Sequence, residues 1–370
     1  MNSTAIAKID LNALLHNLAE IRRIMPAQKI LAMIKSNAYG HGLIPIAKTV
    51  STVDALGVAT LAEAMQLRAA DIKTDIVVMR GFSTSAEITP FLNDPHLIAC
   101  FHSAEQFALL QAKKIAADQS LRIWMKIETG MHRLGIPPDQ VESLHHQLQQ
   151  AHFIKKPFVI CSHLADADNR DPTFTQFQIN QFKQLTKKTN AEKSLLNSAG
   201  ILAHSQSHYD WIRPGLLLYG VSPFELNDPH NQLLENFKPV MTIESRLIAI
   251  KKVHAGEKIG YSCTFTAPRE MKTGIVGMGY GDSYPRQAKN GTPVLIRGER
   301  CPIVGRVSMD MFSVDVSTLP DVAVDDVVTL WGRDLLVSEI AQCVNTVPHE
   351  LLCHLTGRVQ MTYDPLSKLR

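Results

Sequence analysis

Lys35 closes a short apolar, β-compatible run (30–34), and the string Ala32-Met33-Ile34-Lys35-Ser36-Asn37-Ala38-Tyr39-Gly40-His41-Gly42 then fills with turn formers. A lysine placed where a buried strand gives way to a loop is partly desolvated. Desolvation lowers the pKa of an ammonium, and the free amine condenses with an aldehyde to form an imine. Taken alone, Lys35 equally fits a lysine that buries its stem and keeps its head in water. Further polar residues close later apolar runs: Ser162 and His163, Asn197 and Ser198, and Arg213. The stretch Arg213-Pro214-Gly215-Leu216 reads as a strand end followed by a helix start, with Pro214 at the first helical position, and free N–H groups there suit a phosphate. Singly, each of these residues is also a cap or a turn residue. Together they would converge on one site.

The elements that must position these groups follow from hydrophobic periodicity. Strands are predicted at 30–36, 55–60, 75–80, 97–102, 122–128, 158–164, 194–198 and 209–213. Helical patterns, with apolar residues at three- and four-residue intervals, lie between them at 61–70, 104–116, 138–152 and 173–188. That alternation suits an α/β fold, a (β/α)8 TIM-type barrel, although pattern alone also fits an open doubly wound sheet. In a barrel, functional groups gather at the carboxyl ends of the strands, and phosphate sites commonly follow strands seven and eight, where Ser198 and Gly215 fall. After about residue 235 the texture changes to short alternating segments at 240–250, 273–276, 292–296 and 327–331, which read as a mostly-β C-terminal domain. The boundary is expected in the aperiodic stretch 222–236. The barrel is accordingly assigned to 11–232 and the β domain to 1–10 plus 233–370. The run 5–9 is one strand too many for the barrel and is given to the second domain, with Asp10 capping a helix over 11–24.

Composition narrows the function classes. In 370 residues, 38 basic and 35 acidic side chains leave a formal charge of +3, too little for a nucleic-acid or membrane-surface field. No apolar stretch approaches the about 20 residues that span a bilayer, so a cytoplasmic protein is expected. The six cysteines, at 100, 161, 263, 301, 343 and 353, include no CxxC pair, which suits reduced, mostly buried thiols rather than disulfides or a zinc site. No metal is expected.

The lysine string closely resembles the pyridoxal-phosphate (PLP) lysine motif of bacterial alanine racemases, PLP enzymes of fold type III. Other strings resemble that family in its own order and over nearly the whole chain: Lys126-Ile127-Glu128-Thr129-Gly130-Met131-His132-Arg133-Leu134-Gly135, Asn197-Ser198-Ala199, Arg213-Pro214-Gly215, Gly260-Tyr261-Ser262, Gly279-Tyr280-Gly281-Asp282 and Gly305-Arg306-Val307-Ser308-Met309-Asp310. The resemblance implies a barrel followed by a β domain. It also implies interconversion of L- and D-alanine on PLP by two bases, a homodimer with shared sites, and D-alanine for cell-wall peptidoglycan. By resemblance, Lys35 holds PLP and moves the Cα proton on one face, and Tyr261 from the partner subunit does so on the other. Inversion requires opposite faces. Free tyrosine has a pKa of about 10, so it needs help as a base; the resemblance gives that role to His163, linking Tyr261 to Arg213. Arg213 would face the pyridine nitrogen, where a permanent cation weakens the electron sink and restrains side reactions. Tyr39, Ser198, Gly215 and the Leu216 amide would hold the phosphate. Arg133 and the Met309 amide would receive the substrate carboxylate, with Lys126, carbamylated in many relatives, positioning Arg133. Tyr280, Asp168, Arg286 and Arg306 resemble the group lining the substrate entrance, although surface ion pairs would also explain the two arginines.

One departure stands out. Where many relatives place a tyrosine touching phosphate and entrance, this chain reads Val347-Pro348-His349-Glu350. Other signals are set aside. The glycines of 277–282 lie in the β half and read as a turn. The acidic run 166–171 resembles a calcium loop but lacks its glycine and distal glutamate. His145 and His146 are adjacent on a helix and read as a solvated face. A broader amino-acid racemase, a PLP decarboxylase and a noncatalytic PLP carrier are the alternatives; the cation at the pyridine nitrogen argues against the second and Tyr261 against the third.

Overall fold

A computed structural model describes residues 5–366; residues 1–4 and 367–370, expected in the second domain, lie outside the described residues. The chain opens with β1 (Ile6–Ile9) and the helix Leu11–Ile24. The Asp10 carboxylate accepts a hydrogen bond from the Ala13 N–H at 2.8 Å, a cap of the kind that stabilises a helix by about 1 kcal/mol.

Eight parallel strands follow: β2 (Lys29–Met33), β3 (Ala55–Val58), β4 (Ile76–Val78), β5 (Leu97–Phe101), β6 (Arg122–Lys126), β7 (Val159–Cys161), β8 (Lys193–Ser194) and β9 (Trp211–Ile212). They close into a barrel because β9 returns to pair with β2, Lys29 against Trp211 and Ile30 against Ile212. That pairing decides between the barrel and an open sheet. β3, β4 and β5 are buried along their whole length, as strands covered on both faces must be. Each strand stops before its apolar run does. The expected helices are present as Leu61–Ala69, Ala104–Ala112, Val141–Gln150 and Thr173–Thr186. The structure adds Leu43–Thr49, Ser85–Asn93 and Ser198–Ala203. Two of these contain a proline, Pro45 and Pro90, which disguised them as loops.

The second half is a sheet built from β10 (Met241–Val253), β13 (Met271–Val276), β14 (Pro293–Ile296), β15 (Glu299–Val304), β16 (Phe312–Asp315), β17 (Val327–Trp331) and β18 (Gln360–Tyr363), in the order β13-β16-β15-β14-β17-β10-β1-β18. A separate hairpin joins β11 (Lys258–Ile259) to β12 (Phe265–Thr266). β1 lies antiparallel to β10 and parallel to β18, so the first strand of the chain sits in the last sheet. The β14–β15 turn takes left-handed backbone at Arg297 and Gly298, the turn chemistry that makes the strand after 296 a hairpin partner. Two helices, Val337–Cys343 and Pro348–Cys353, interrupt this half.

Some expectations are corrected. Pro214 is not a first helical residue: a 3₁₀ turn, Leu216–Tyr219, begins only after Gly215. His145 is half-buried with its ring 5.5 Å from Phe158, so only His146 belongs to a solvated face. The stretch 277–282 is a turn, with 3₁₀ geometry over Tyr280–Asp282, and in the acidic loop Asp171 accepts from the Thr173 N–H. All six thiols are free: Cys100, Cys161 and Cys301 are buried, Cys343 and Cys353 half-buried and Cys263 exposed. Among the described residues no helix is long and apolar enough to cross a membrane, and no cluster of His, Cys, Asp and Glu is placed to hold a metal ion.

Candidate active site

β2 ends in a turn that proteins rarely build. Ser36, Asn37, Ala38 and Tyr39 are all left-handed, with φ of 54°, 54°, 54° and 52°. This conformation costs a residue with a Cβ roughly 1–2 kcal/mol. Three side chains hold the turn. The Ser36 N–H donates to Glu63 Oε1 at 2.6 Å, the Leu43 N–H to Asn37 Oδ1 at 2.8 Å, and His41 Nδ1 to the Tyr39 carbonyl at 2.8 Å. Burial pushes His41 down to about 4, so its ring is neutral and Nδ1 carries the proton. Gly40 completes the turn, and a Cβ there would collide with the carbonyl of Leu352 from the β half.

The turn aims Lys35 and Tyr39 into a cavity of about 560 Å³ at the barrel mouth, which His163, Asn197, Ser198, Arg213, Gly215 and Leu216 also line. Lys35 is half-buried, and burial first, then the Arg133 cation, lowers its pKa from the ordinary lysine value. One end of the cavity is a row of donors. Ser198 Oγ accepts from the Gly215 N–H at 2.9 Å and the Leu217 N–H at 3.3 Å, while the Leu216 N–H has no partner among the described residues. Tyr39 Oη lies 2.6 Å from where a Cβ on Gly215 would stand, so only glycine lets the phenol reach the donors.

The other groups on the cavity are mostly cations: Lys126, Arg133, Arg213 and Arg80, with exposed Asp168 the one acid on the lining. Arg213 is buried and fixed by hydrogen bonds to Ser194 Oγ (2.6 Å), the Ser162 carbonyl (2.5 Å) and the Leu195 carbonyl (3.0 Å). It also donates to His163 Nδ1 at 3.4 Å, which puts the imidazole proton on Nε2. Burial, then Arg213, holds His163 well below the ordinary histidine value, so it is neutral. Lys126 is buried, and no carboxylate among the described residues pairs with it. A cavity of this charge attracts a ligand with more than one anionic group. Ser162 does not reach the mouth: its hydroxyl donates to the Ile127 carbonyl and its own carbonyl holds Arg213.

Tyr261, Met309, Tyr280, Arg286 and Arg306 do not enter this cavity. Tyr261 is 67% exposed and Met309 53%. They form a cluster of their own on the β half. The Tyr280 N–H donates to the Ser308 carbonyl, the Gly281 N–H to the Met309 carbonyl, and Gly260, which precedes Tyr261, abuts the Arg306 backbone. Arg286 and Arg306 line one cleft of about 430 Å³, and neither makes an ion pair among the described residues, so surface pairing does not account for them. The Met309 N–H is free of a partner among the described residues. One chain thus holds the expected site residues in two separate places: a lysine cavity and an exposed tyrosine cluster.

Family models for the alanine racemase N-terminal domain and C-terminal domain match residues 9–223 and 240–363. The chain belongs to the alanine racemase family. An alanine racemase of Coxiella burnetii is 46% identical over 360 residues, 96% of this chain and 98% of its own. The crystal structure of biosynthetic alanine racemase from Pseudomonas aeruginosa superimposes with a TM-score of 0.93 at 36% identity, covering 99% and 100% of the two chains. The alanine racemase from Bartonella henselae, solved with covalently bound pyridoxal phosphate, gives 0.87 at 28% identity over 97% of this chain and 99% of that one.

Three residues that shape this racemase cavity have no role in the reading of the sequence. Arg80 lies in a turn without a local pattern, and His41 reads only as a turn former. Glu63 had a signal, the Thr60-x-x-Glu63 capping box at the start of the helix Leu61–Ala69. One Glu63 oxygen accepts from the Ala59 and Thr60 N–H groups and the other from Ser36, so one carboxylate caps a helix and pins the turn that follows Lys35. Glu63→Ala is expected to lower stability by about 1–2 kcal/mol, a fall in Tm of about 2–4 °C by calorimetry. An unchanged Tm would show that the turn is held without it.

Proposed function

We propose that this chain interconverts L- and D-alanine with pyridoxal phosphate held on Lys35, as a homodimer in which each site is shared by two subunits. The observation that carries the reading is a half-buried lysine of lowered pKa beside a row of phosphate donors, in a cation-lined cavity of an alanine racemase family chain. The residues fit the cofactor: an amine for its aldehyde, the unpartnered Leu216 N–H and the Tyr39–Gly215 cradle for its phosphate, and a cavity with room for both cofactor and amino acid. The Bartonella henselae relative, described with covalently bound pyridoxal phosphate, supports the same assignment.

The cofactor supplies the electron sink that makes the Cα proton of an attached amino acid removable. The protein does the rest. Tyr39, Ser198, Gly215 and Leu216 hold the phosphate. Arg213, fixed by the Ser194, Ser162 and Leu195 oxygens, would face the ring nitrogen, where a permanent cation would disfavour its protonation. Lys35, whose lowered pKa favours the free amine, takes or returns the proton on one face. Tyr261 of the partner subunit does so on the other, aided by neutral His163, which hands polarity on to Arg213. Arg133 and the Met309 N–H of the partner subunit receive the substrate carboxylate. A carbamate on Lys126 would give that buried amine a negative charge with which to position Arg133. Tyr280, Asp168, Arg286 and Arg306 line the way in. In this reading the barrel, 11–232, carries the cofactor, the β domain, 1–10 plus 233–370, supplies the second base, and the enzyme makes cytoplasmic D-alanine for peptidoglycan.

The test is to add L-alanine to the PLP-loaded protein and follow both optical rotation and amino-acid content. Rotation decaying to zero with alanine conserved is the expected result. Loss of alanine with carbon dioxide release would substitute a decarboxylase, and no change in either would leave a carrier.

A further inference from the structure

His349 enters the lysine cavity from the β half, on the helix Pro348–Cys353 that packs against the Lys35–Tyr39 turn. Its ring centroid is 5.8 Å from that of Tyr39, whose hydroxyl lies against Gly215. His349 therefore stands at the phosphate end. It makes no hydrogen bond to any described residue. The side chain is exposed, yet the protein around it, then the Lys35 cation, lowers its pKa from the ordinary histidine value.

Every element around His349 can be surveyed for charge. The Lys35–Tyr39 turn presents Lys35 and the Tyr39 phenol, which burial pushes up and keeps neutral. Its own helix carries Glu350, tied to the Thr346 hydroxyl, and Cys353, whose thiol burial pushes up. The helix Val337–Cys343, packed behind, carries Glu339, paired with Arg300, and Cys343. Across the cavity stand Lys126, Arg133, Arg80, Arg213, neutral His163 and Asp168. No anion in this set is aimed at the ring, so before cofactor enters nothing favours the imidazolium. A phosphate dianion at the Leu216 N–H supplies the missing charge.

We propose that His349 takes up one proton from solvent when the cofactor phosphate binds, making this enzyme's affinity for pyridoxal phosphate increase as pH falls. The proposal rests on the cofactor assignment above. The sign follows from linkage. A group neutral in the free protein and protonated in the complex makes binding weaken with rising pH, by up to tenfold per unit between its two pKa values, and leaves it flat outside them. A tyrosine or asparagine at 349 removes this contribution.

The experiment is calorimetric titration of cofactor-free protein with pyridoxal phosphate at about pH 7.5, where the free phosphate is already dianionic, in two buffers of different ionisation enthalpy. Wild type, His349→Asn and His349→Tyr are compared, and the dissociation constant is followed with pH. Pyridoxal, which lacks the phosphate, is the control on unaltered protein. Wild type is expected to take up as much as one more proton with pyridoxal phosphate than either variant does, and than it does itself with pyridoxal, with a steeper fall in affinity as pH rises. Equal proton counts and parallel profiles would overturn the proposal while leaving the cofactor in place. Absence of any binding, with no borohydride-fixed label on Lys35, would overturn the cofactor assignment and the proposal with it. If the variants fail to fold, the comparison of the two ligands on wild type still decides.

Discussion

Two inactive variants, Lys35→Ala and Tyr261→Phe, are expected to regain activity when unfolded together and refolded as a mixture. Each alone removes one base and is expected to lose about 10²–10⁴-fold in kcat, since a positioned acid or base contributes on that scale. In a mixed dimer one site receives Lys35 from one chain and Tyr261 from the other and is intact, while the second site lacks both. A statistical mixture is half heterodimer with one working site in two, so about a quarter of wild-type activity should return. The expectation rests on the separation of the two half-sites: Tyr261 is two-thirds exposed on the β half and does not line the cavity that holds Lys35. If Tyr261 instead served its own chain's lysine, no mixture of the two variants could hold an intact site. Lack of recovery from well-folded mixed dimers would therefore refute sharing between subunits. Full activity in Tyr261→Phe alone would refute the second base.

Lys35→Ala carries the other large effect, a fall in kcat/KM of at least about 10²-fold with the Tm nearly unchanged, because the side chain is half-buried at a cavity. A small primary amine added to the medium should restore part of the rate by replacing the missing base. The pH profile of the wild type should agree. Burial and then the Arg133 cation lower the Lys35 pKa, so its amine is freed at lower pH than an ordinary lysine's, about 10.4. The basic form increases with pH, and the ascending limb of kcat, which reports the state in which substrate has displaced Lys35 from the cofactor, is expected below that value. Arg133→Ala removes a neighbouring cation and should move this limb upward. A limb that stays in place would mean it belongs to another group, and a Lys35→Ala protein within tenfold of wild type would remove the lysine from the chemistry.

Much of this was legible in the residues. The apolar run ending at Lys35, the polar residues closing later runs, and the alternation of strand and helix patterns are local signals, set by side-chain periodicity and turn chemistry over a few residues. They placed all eight barrel strands and most of the helices between them. They faltered where a distant contact decides. Pro45 and Pro90 sit in helices that barrel packing maintains, and β15, β16 and β18 are strands because of partners far along the chain. The family strings named the candidate residues and implied which would work together, but not which of them one chain brings to the same cavity.

Sequence alone determined the chemistry on offer: an amine, a phosphate turn, arginines and a tyrosine, each written into a short string. Tertiary structure decided the rest. Closure depends on Lys29 meeting Trp211, the left-handed turn at Ser36–Tyr39 persists because Glu63 and His41 hold it, and His349 reaches Tyr39 through a helix from the opposite end of the chain. These are contacts between residues far apart in sequence, whose loop-closure entropy only the folded core offsets, so no local pattern encodes them.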